Sequence, residues 1–402
     1  MSGPLSGVRI IDMTSNFMGP YATLLLADMG ADVIKVESPV GDTTRGVGPR
    51  RHVGMSAIFL HLNRNKRSIV IDLKDPEGLA TLRRLIPGAD AVVYSLRPQA
   101  MRKLGLSYEQ MSEVNPSIVY TGAFGFGQKG PYADRPAYDD LIQAGVGMPV
   151  LQSRRQGEPQ YMASAVADRV VGMALSNATL AALLEREHSG LGQEVQVPML
   201  ETFAHFIQGD HLYGHTFVPS QGRAGYERMM NPARRPYPTK DGYITIMAYS
   251  DKHWHSFFEL AGRPDMAEDP RFKDIAGRTE NIGLLYEFMG SFFADMTTSE
   301  AVGMLNRADI PGIEVSDPDR IWENEHFAAV DFFPEIDHPT EGRLRSIGIP
   351  HAWSRTEPDI RLHAPLLGEN TAEVLKENGF TESEIDRLLD MGAVRCPAQA
   401  EP

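Results

Sequence analysis

The sequence predicts an α/β chain: a doubly wound parallel sheet with a second, smaller α+β domain. Three observations carry that expectation. A strand, a helix and a second strand fit within residues 8–37. That is the length of a βαβ unit, whose right-handed crossover lays its strands parallel. Strand-then-helix segments go on repeating across roughly the first 145 residues. A new strand-led unit opens at Asp241–Met247 and continues in helical patterns, the order expected of an α+β domain.

Each element has its own reason. Val8–Met13 (VRIIDM) is a short, β-rich apolar run and reads as a buried strand. Pro20–Met29 is a helix of small residues with proline at its start and Gly30 at its close. Ala31–Glu37 is the second strand. The first turn, around Met18-Gly19-Pro20, is not GxGxxG, so a dinucleotide fingerprint is absent while the strand pattern stays Rossmann-like. Gly, Pro and Arg make Ser38–Met55 a loop. Ser68–Asp72, Ala89–Tyr94 and Ser117–Thr121 read as strands, Pro76–Leu85 and Arg97–Leu104 as helical, and Gly122–Tyr132 as a glycine-rich turn. Ala163–Gly192 is one long helix, apolar or small on nearly every face, as in a buried helix. Charge at Glu185, Arg186 and Glu187 and the glycines at 190 and 192 end it. Gly192–Met199 is a strand and Leu200–Tyr213 a helix. The polar stretch 214–240, with Arg223, Arg228, Arg234 and Arg235, reads as a linker or lid. Helices follow at Asp251–Ala261, Glu280–Ala294 and Thr298–Ala308, and another at Thr381–Met391. The expected division is a large domain over 1–213 to which 330–402 returns, a small domain over 225–325, and linkers at 214–224 and 326–329.

The bulk composition narrows the function classes. The 402 residues, 42% hydrophobic and 23% charged, suit an ordinary globular protein of two or three domains. A net charge of −14 is unfavourable for nucleic acid or an anionic membrane. The one cysteine, Cys396, allows neither an intrachain disulfide nor a cysteine-rich metal site. The start, MSGPLSGVRIIDM, lacks a signal-peptide layout, and no apolar run of about 18 residues suggests a membrane span, so a cytoplasmic location is expected. The histidines show no HExxH or other metal spacing, and Ser164 and Ser176 do not sit in GxSxG.

One acid stands out. Asp168 lies in the first turn of the long helix, on a face with Ser164, Ala165, Val171, Gly172 and Leu175. Gly172 is expected to leave room beside it, and the helix dipole to favour its ionised form. Such a carboxylate can act as a nucleophile or base. The residues alone favour the plainer reading, that it complements the helix N-terminus or a nearby Arg, since acids are common in first turns. Tyr138-Asp139-Asp140 either begins a helix or lines a cleft, and spacing prefers the helix start. Arg64, Lys66, Arg67, Lys74, Arg97, Arg102 and Lys103 lie near strand ends. They suit phosphate binding about as well as a solvated surface.

Several stretches together resemble the class III CoA-transferases, the CaiB/BaiF type that includes formyl-CoA transferase. They are Met18-Gly19-Pro20 with LADMGADVIKVE, Gly41-Asp42 with Arg45, LNRNKRSIVIDLKDPEG, GFGQKGPY, Tyr138-Asp139 with Gln143-Ala144, Asp168 with Gly172, SGLGQEVQVPM, YPTKDGYITI, GRPDMAEDPRF and APLLGENTAEVL. The resemblance runs from about Leu5 to Val394. It implies that Asp168 is a nucleophile that attacks an acyl-CoA thioester to give a mixed anhydride and CoA thiolate. The thiolate then forms an aspartyl-CoA thioester, and an acceptor carboxylate attacks that. CoA finally returns to make the new acyl-CoA.

The resemblance also implies a substrate set of acyl-CoA and a free carboxylic acid, with CoA carried as part of the substrate and no tightly bound cofactor or metal. It places the CoA contacts, in the large domain, at Phe17, Met18, Ser38, Ile71, Asp72, Leu73, Lys74, Ser95, Leu96, Arg97 and Lys103. Tyr138 and Asp139 are pocket candidates. The family fold implies an interlocked homodimer. Three positions depart from the pattern: Phe17 where a polar residue is frequent, Ser38 where formyl-CoA transferase has a basic one, and Lys103 where Arg is usual. The glycine-rich loop of formyl-CoA transferase has no counterpart, and Arg223–Arg235 occupies that region. Those arginines hint at a second carboxylate on the acid substrate. The α-methylacyl-CoA racemases of the same family carry Gly-His-Asp where this chain has Ala137-Tyr138-Asp139. Tyrosine, with a pKa near 10, is a poor base at neutral pH, so transfer is favoured over racemisation. A non-catalytic acyl-CoA-binding protein is the third reading.

Overall fold

The structure, a computed structural model, describes residues 3–397; residues 1–2 and 398–402, which the expected ranges 1–213 and 330–402 include, lie outside it. In chain order the elements are β1 (Arg9–Met13), α1 (Met18–Asp28), β2 (Asp32–Glu37), α2 (Ala57–Asn63), β3 (Lys66–Ile71), α3 (Pro76–Leu85), β4 (Ala91–Tyr94), α4 (Pro98–Lys103), α5 (Tyr108–Val114), β5 (Val119–Phe124), α6 (Asp139–Gly145), α7 (Met148–Gln156), α8 (Val166–Ser189), β6 (Glu194–Pro198) and α9 (Met199–His211). Then follow α10 (Glu227–Met230), β7 (Tyr237–Pro238), β8 (Tyr243–Ile246), α11 (Asp251–Leu260), α12 (Ile275–Glu280), α13 (Ile282–Phe293), α14 (Thr298–Arg307), β9 (Gly312–Glu314), α15 (Glu325–Ala329), β10 (Glu335–His338), β11 (Gly342–Arg345), α16 (Thr371–Glu377), α17 (Glu382–Asp390) and β12 (Val394–Arg395). They fall into two units. The first runs to Val146, resumes over Met162–Phe206 and again from Val330; the second takes Gly147–Tyr161 and Ile207–Ala329.

The first unit holds a seven-stranded sheet in the order β12-β3-β2-β1-β4-β5-β6. Six strands are parallel and β12 is antiparallel on the edge beside β3. The 3-2-1-4-5-6 order is the doubly wound one expected from the sequence, and its direction reverses between β1 and β4. Ile10, Ile11, Ile34, Ile69, Ile71, Val92 and Val93 are buried in it, as strands covered on both faces require. The second unit has a three-stranded antiparallel sheet, β7-β8-β9. It packs an aromatic core of Tyr237, Trp254, Phe257, Phe258, Tyr286 and Phe293.

Local boundaries differ from the expected ones for identifiable reasons. α1 begins at Met18, two residues early, and Phe17 becomes its N-cap. α8 begins at Val166 after Ala165, so Asp168 is its third residue. β5 runs on to Phe124 because Gly122 and Ala123 pair with Gln196 and Val197 of β6. β3 starts at Lys66 rather than Ser68 because its charged residues find partners inside the fold. Lys66 Nζ reaches Asp12, Arg67 pairs with Asp32 and Glu377, and Arg64, just before the strand, pairs with Asp28. The reading of those three as phosphate ligands is therefore corrected: they are buried and already neutralised. No helix among the described residues is long and apolar enough to cross a membrane. None of their His, Cys, Asp and Glu side chains form a group able to hold a metal.

Candidate active site

Ligands of open α/β sheets gather outside the carboxyl ends of the strands, at the point where the strand order reverses. A cleft of about 540 Å³ lies there, lined by Asn16, Phe17 and Met18 after β1, Ser95 and Arg97 after β4, and Gly125 after β5. Its volume is in the range of small-molecule sites. Tyr138, Asp139 and Asp168 line it too.

The loop after β1 is held from beneath by a buried ionic network. Lys35 Nζ, fully buried, donates to the Thr14 carbonyl at 3.0 Å and to Asp42 at 2.8 Å. Asp42 accepts the backbone N–H of Asn16 at 3.3 Å and that of Thr44 at 2.9 Å. Burial opposes ionisation of Asp12, but the ammonium groups of Lys66 and Lys35 outweigh it and hold its carboxyl below the usual range. Asn16 takes a left-handed conformation, φ +67°, to turn the chain from β1 into α1.

Asp139 and Asp168 are linked by a hydrogen bond where they line the cleft. The Asp139 carboxylate accepts the backbone N–H of Asp168 at 3.0 Å. It thus caps α8 from outside, since the N-cap residue, Ala165, has no side chain to do so. Its other oxygen accepts from Gln143 Nε2 at 2.5 Å, and Gln143 Oε1 accepts the Met162 N–H at 2.9 Å. Gln143, fully buried on α6, therefore fixes both Asp139 and the approach to α8. Asp139 begins α6, the helix-start role that spacing preferred, and lines the cleft as well.

The expectation that Asp168 is held ionised by the helix dipole is overturned. Burial, and then the negative charge of Asp139, push its pKa from the usual 3.8 up to about 7; the Arg169 guanidinium offsets only part. Desolvation and the like charge of Asp139 exceed what a helix end supplies. Gly172 also has a different role from the expected one. A Cβ there would come 2.7 Å from the Met18 carbonyl oxygen and 3.1 Å from Tyr21. The glycine lets α8 approach α1 and does not open space beside the carboxylate.

Of the residues expected to contact CoA, Phe17, Met18, Ser95 and Arg97 line the cleft. Ser38 follows β2, Asp72, Leu73 and Lys74 follow β3 after its final residue Ile71, Leu96 follows β4, and Lys103 ends α4. None of these lines the cleft itself, but Ser38, Asp72, Leu73, Lys74 and Leu96 follow carboxyl ends of the same sheet. Ser38, Lys74 and Lys103 are exposed. Sequence reasoning missed Arg169, whose guanidinium lies 4.5 Å over the Tyr21 ring. It also missed Arg135, which lines the cleft and stacks 4.0 Å over Tyr132. Both arginines are adjacent to, or within a few residues of, singled-out acids; that proximity was the available signal.

Comparison with known proteins places the chain in a family. The family model described as CoA-transferase family III matches residues 5–371. The mouse succinyl-CoA:glutarate CoA-transferase is 30% identical over 396 residues, covering 97% of this chain and 90% of the relative. The formyl-CoA:oxalate CoA-transferase of Rhodopseudomonas palustris (strain BisB18) is 31% identical, covering 100% and 99%. Among solved structures, a CaiB/BaiF family protein from Brucella suis superposes with a TM-score of 0.80 at 28% identity, covering 94% of this chain and all of that one. The hypothetical protein Rv3272 from Mycobacterium tuberculosis gives 0.80 at 31% identity, covering 93% and 99%. The chain belongs to CoA-transferase family III, the CaiB/BaiF family.

Proposed function

We propose that the protein moves CoA from an acyl-CoA thioester to a free carboxylic acid, with Asp168 as the nucleophile. The observation that carries the reading is the Asp168 carboxylate, partly desolvated in a cleft at the sheet's reversal point, on a helix start whose backbone N–H Asp139 caps. In its ionised form it attacks the thioester carbonyl. The C–S bond breaks, CoA leaves as thiolate, and an acyl-aspartyl anhydride remains. The thiolate attacks the aspartyl carbonyl, releasing the first acid and forming an aspartyl-CoA thioester. The acceptor carboxylate attacks that carbonyl, re-forming an anhydride, and the thiolate then takes the acceptor's acyl group and frees Asp168. Each covalent state neutralises a carboxylate that burial disfavours as an anion, so the same desolvation that raises its pKa favours the adduct.

Phe17, Met18, Ser95 and Arg97 are proposed to hold CoA nearest the thioester, with Ser38, the Ile71–Lys74 run, Leu96 and Lys103 taking the rest of the carrier. Lys74 and Lys103 suit its phosphates as point charges. Both relatives reported above are named for a dicarboxylic acid acceptor, which supports a dicarboxylate here. A homodimer is also proposed. Met173 and Leu184 on α8 and Phe206 on α9 are about half or more exposed, an apolar surface of the kind that a second copy covers. A reducing compartment such as the cytoplasm suits the single, unpaired Cys396.

The test is to incubate the protein with succinyl-CoA, quench with hydroxylamine and map the peptides by mass spectrometry. A hydroxamate on Asp168, and loss of transfer in Asp168→Asn, are expected. Full turnover with an unmodified Asp168 sinks the mechanism. Exchange of the substrate α-proton in D₂O without an acceptor acid indicates racemisation instead.

A further inference from the structure

The second unit has a pocket that the Asp168 chemistry does not use. It lies between the end of α7, the loop before β7, the end of β8 and one face of α13, and measures about 150 Å³. That is well below the few hundred cubic ångströms of a cofactor site, and suits a small molecule. Its rim carries Arg155, Arg234 and Arg235, and Ile246, Ala248 and Met289 give it an apolar lining.

The state of those arginines is unusual for a chain of net charge −14. Elsewhere in the same unit, Arg263, Arg271 and Arg278 pair with Asp265, Asp269 and Asp251. Among the described residues, no such ion pair forms to Arg155, Arg228, Arg234 or Arg235. Arg155 donates to the Arg234 carbonyl, which fixes the loop against α7. Arg228 Nε donates to the Tyr286 hydroxyl at 2.8 Å, and Tyr286 lines the pocket. The guanidinium groups of Arg234 and Arg235 make no hydrogen bond among the described residues. Cations crowded on a rim repel one another and weaken each unless an anion joins them. A guanidinium is the donor whose fork matches a carboxylate. The apolar lining adds a surface for methylene groups that a bare inorganic anion cannot use.

We infer that this pocket is a binding site for a small aliphatic carboxylate, held at one end by Arg234 and Arg235 and along its chain by Ile246, Ala248 and Met289. The site stands apart from the proposed role of Asp168, and its test needs no turnover.

Isothermal titration calorimetry of the full chain with glutarate, without any CoA ester, reads it directly. Binding is expected, and Arg234→Ala/Arg235→Ala is expected to weaken it by about tenfold or more, the loss of one to two charged hydrogen bonds. Asp168→Asn keeps the component that the arginine variant loses, which separates this inference from the nucleophile assignment. Equal glutarate affinity in the wild type and the double variant overturns the proposal, as does inorganic phosphate binding as tightly as glutarate. Circular dichroism checks that the double variant folds. Should it unfold, Arg235→Ala, at an exposed position, is expected to weaken glutarate several-fold, and an unchanged affinity there overturns the proposal equally.

Discussion

A carboxylate attacks a thioester only when ionised, so the pKa of about 7 at Asp168 sets a pH dependence. The rate of acyl transfer at low substrate is expected to rise with pH and level off above about 7. Asp139→Asn removes the like charge while keeping an oxygen for the Asp168 N–H. Its inflection is expected at lower pH in a pH–rate profile, and an unmoved inflection removes Asp139 from that role. The same shift has a stability consequence of opposite sign. An acid whose folded pKa is raised from 3.8 binds more protons folded than unfolded between pH 4 and 7, so its contribution is present below about 4 and lost as pH rises to about 7. Asp168→Asn should therefore match the wild type near pH 4 in urea melts. Above pH 7 it should be more stable by something on the order of 4 kcal/mol. The position of Asp168 in a first turn was legible in the sequence, but its charge state was not. Helix polarity is a local property, whereas burial and the approach of Asp139 from 29 residues away are tertiary.

The helix pair α1 and α8 depends on a missing side chain. Gly172→Ala places a methyl 2.7 Å from the Met18 carbonyl oxygen, backbone that has little freedom to yield. A loss of about 1–3 kcal/mol in denaturant melts is expected. Because Met18 also lines the cleft, the KM for acyl-CoA should change along with stability. Beneath the cleft, Lys66→Met would strand Asp12, whose side chain is fully buried, with one fewer neutralising charge. Removing one partner of a buried pair costs roughly 3–5 kcal/mol, measurable by the same melts. Strands β1 to β6, β8 and the long helices were legible in the sequence, whereas β7, β9, β10 and β11, two to four residues each, were not. The short helices α2 and α5 were not, because each rests on little more than a serine cap, Ser56 and Ser107, and a few packed residues.

At the scale of the whole chain, the sheet was foreseeable to the extent that βαβ spacing is local. Its edge was not. β12 offers two residues, Val394 and Arg395, and no period can show that they pair with Ile71 and Val70. The stretch from Val330 supplies Val374, Leu375, Leu388 and Val394 to the core of the first unit. Ending the chain at Ala329 should therefore yield an aggregating product, whose solubility after expression is the measurement. That edge strand also bears on how the protein is made. Ile71 leaves the ribosome roughly 300 residues before Val394, an interval of some tens of seconds at about 5–20 residues per second. Throughout synthesis the β3 edge stands open, with its N–H and C=O groups unpaired. Until β12 arrives, that edge is a template on which the same edge of another nascent copy can pair.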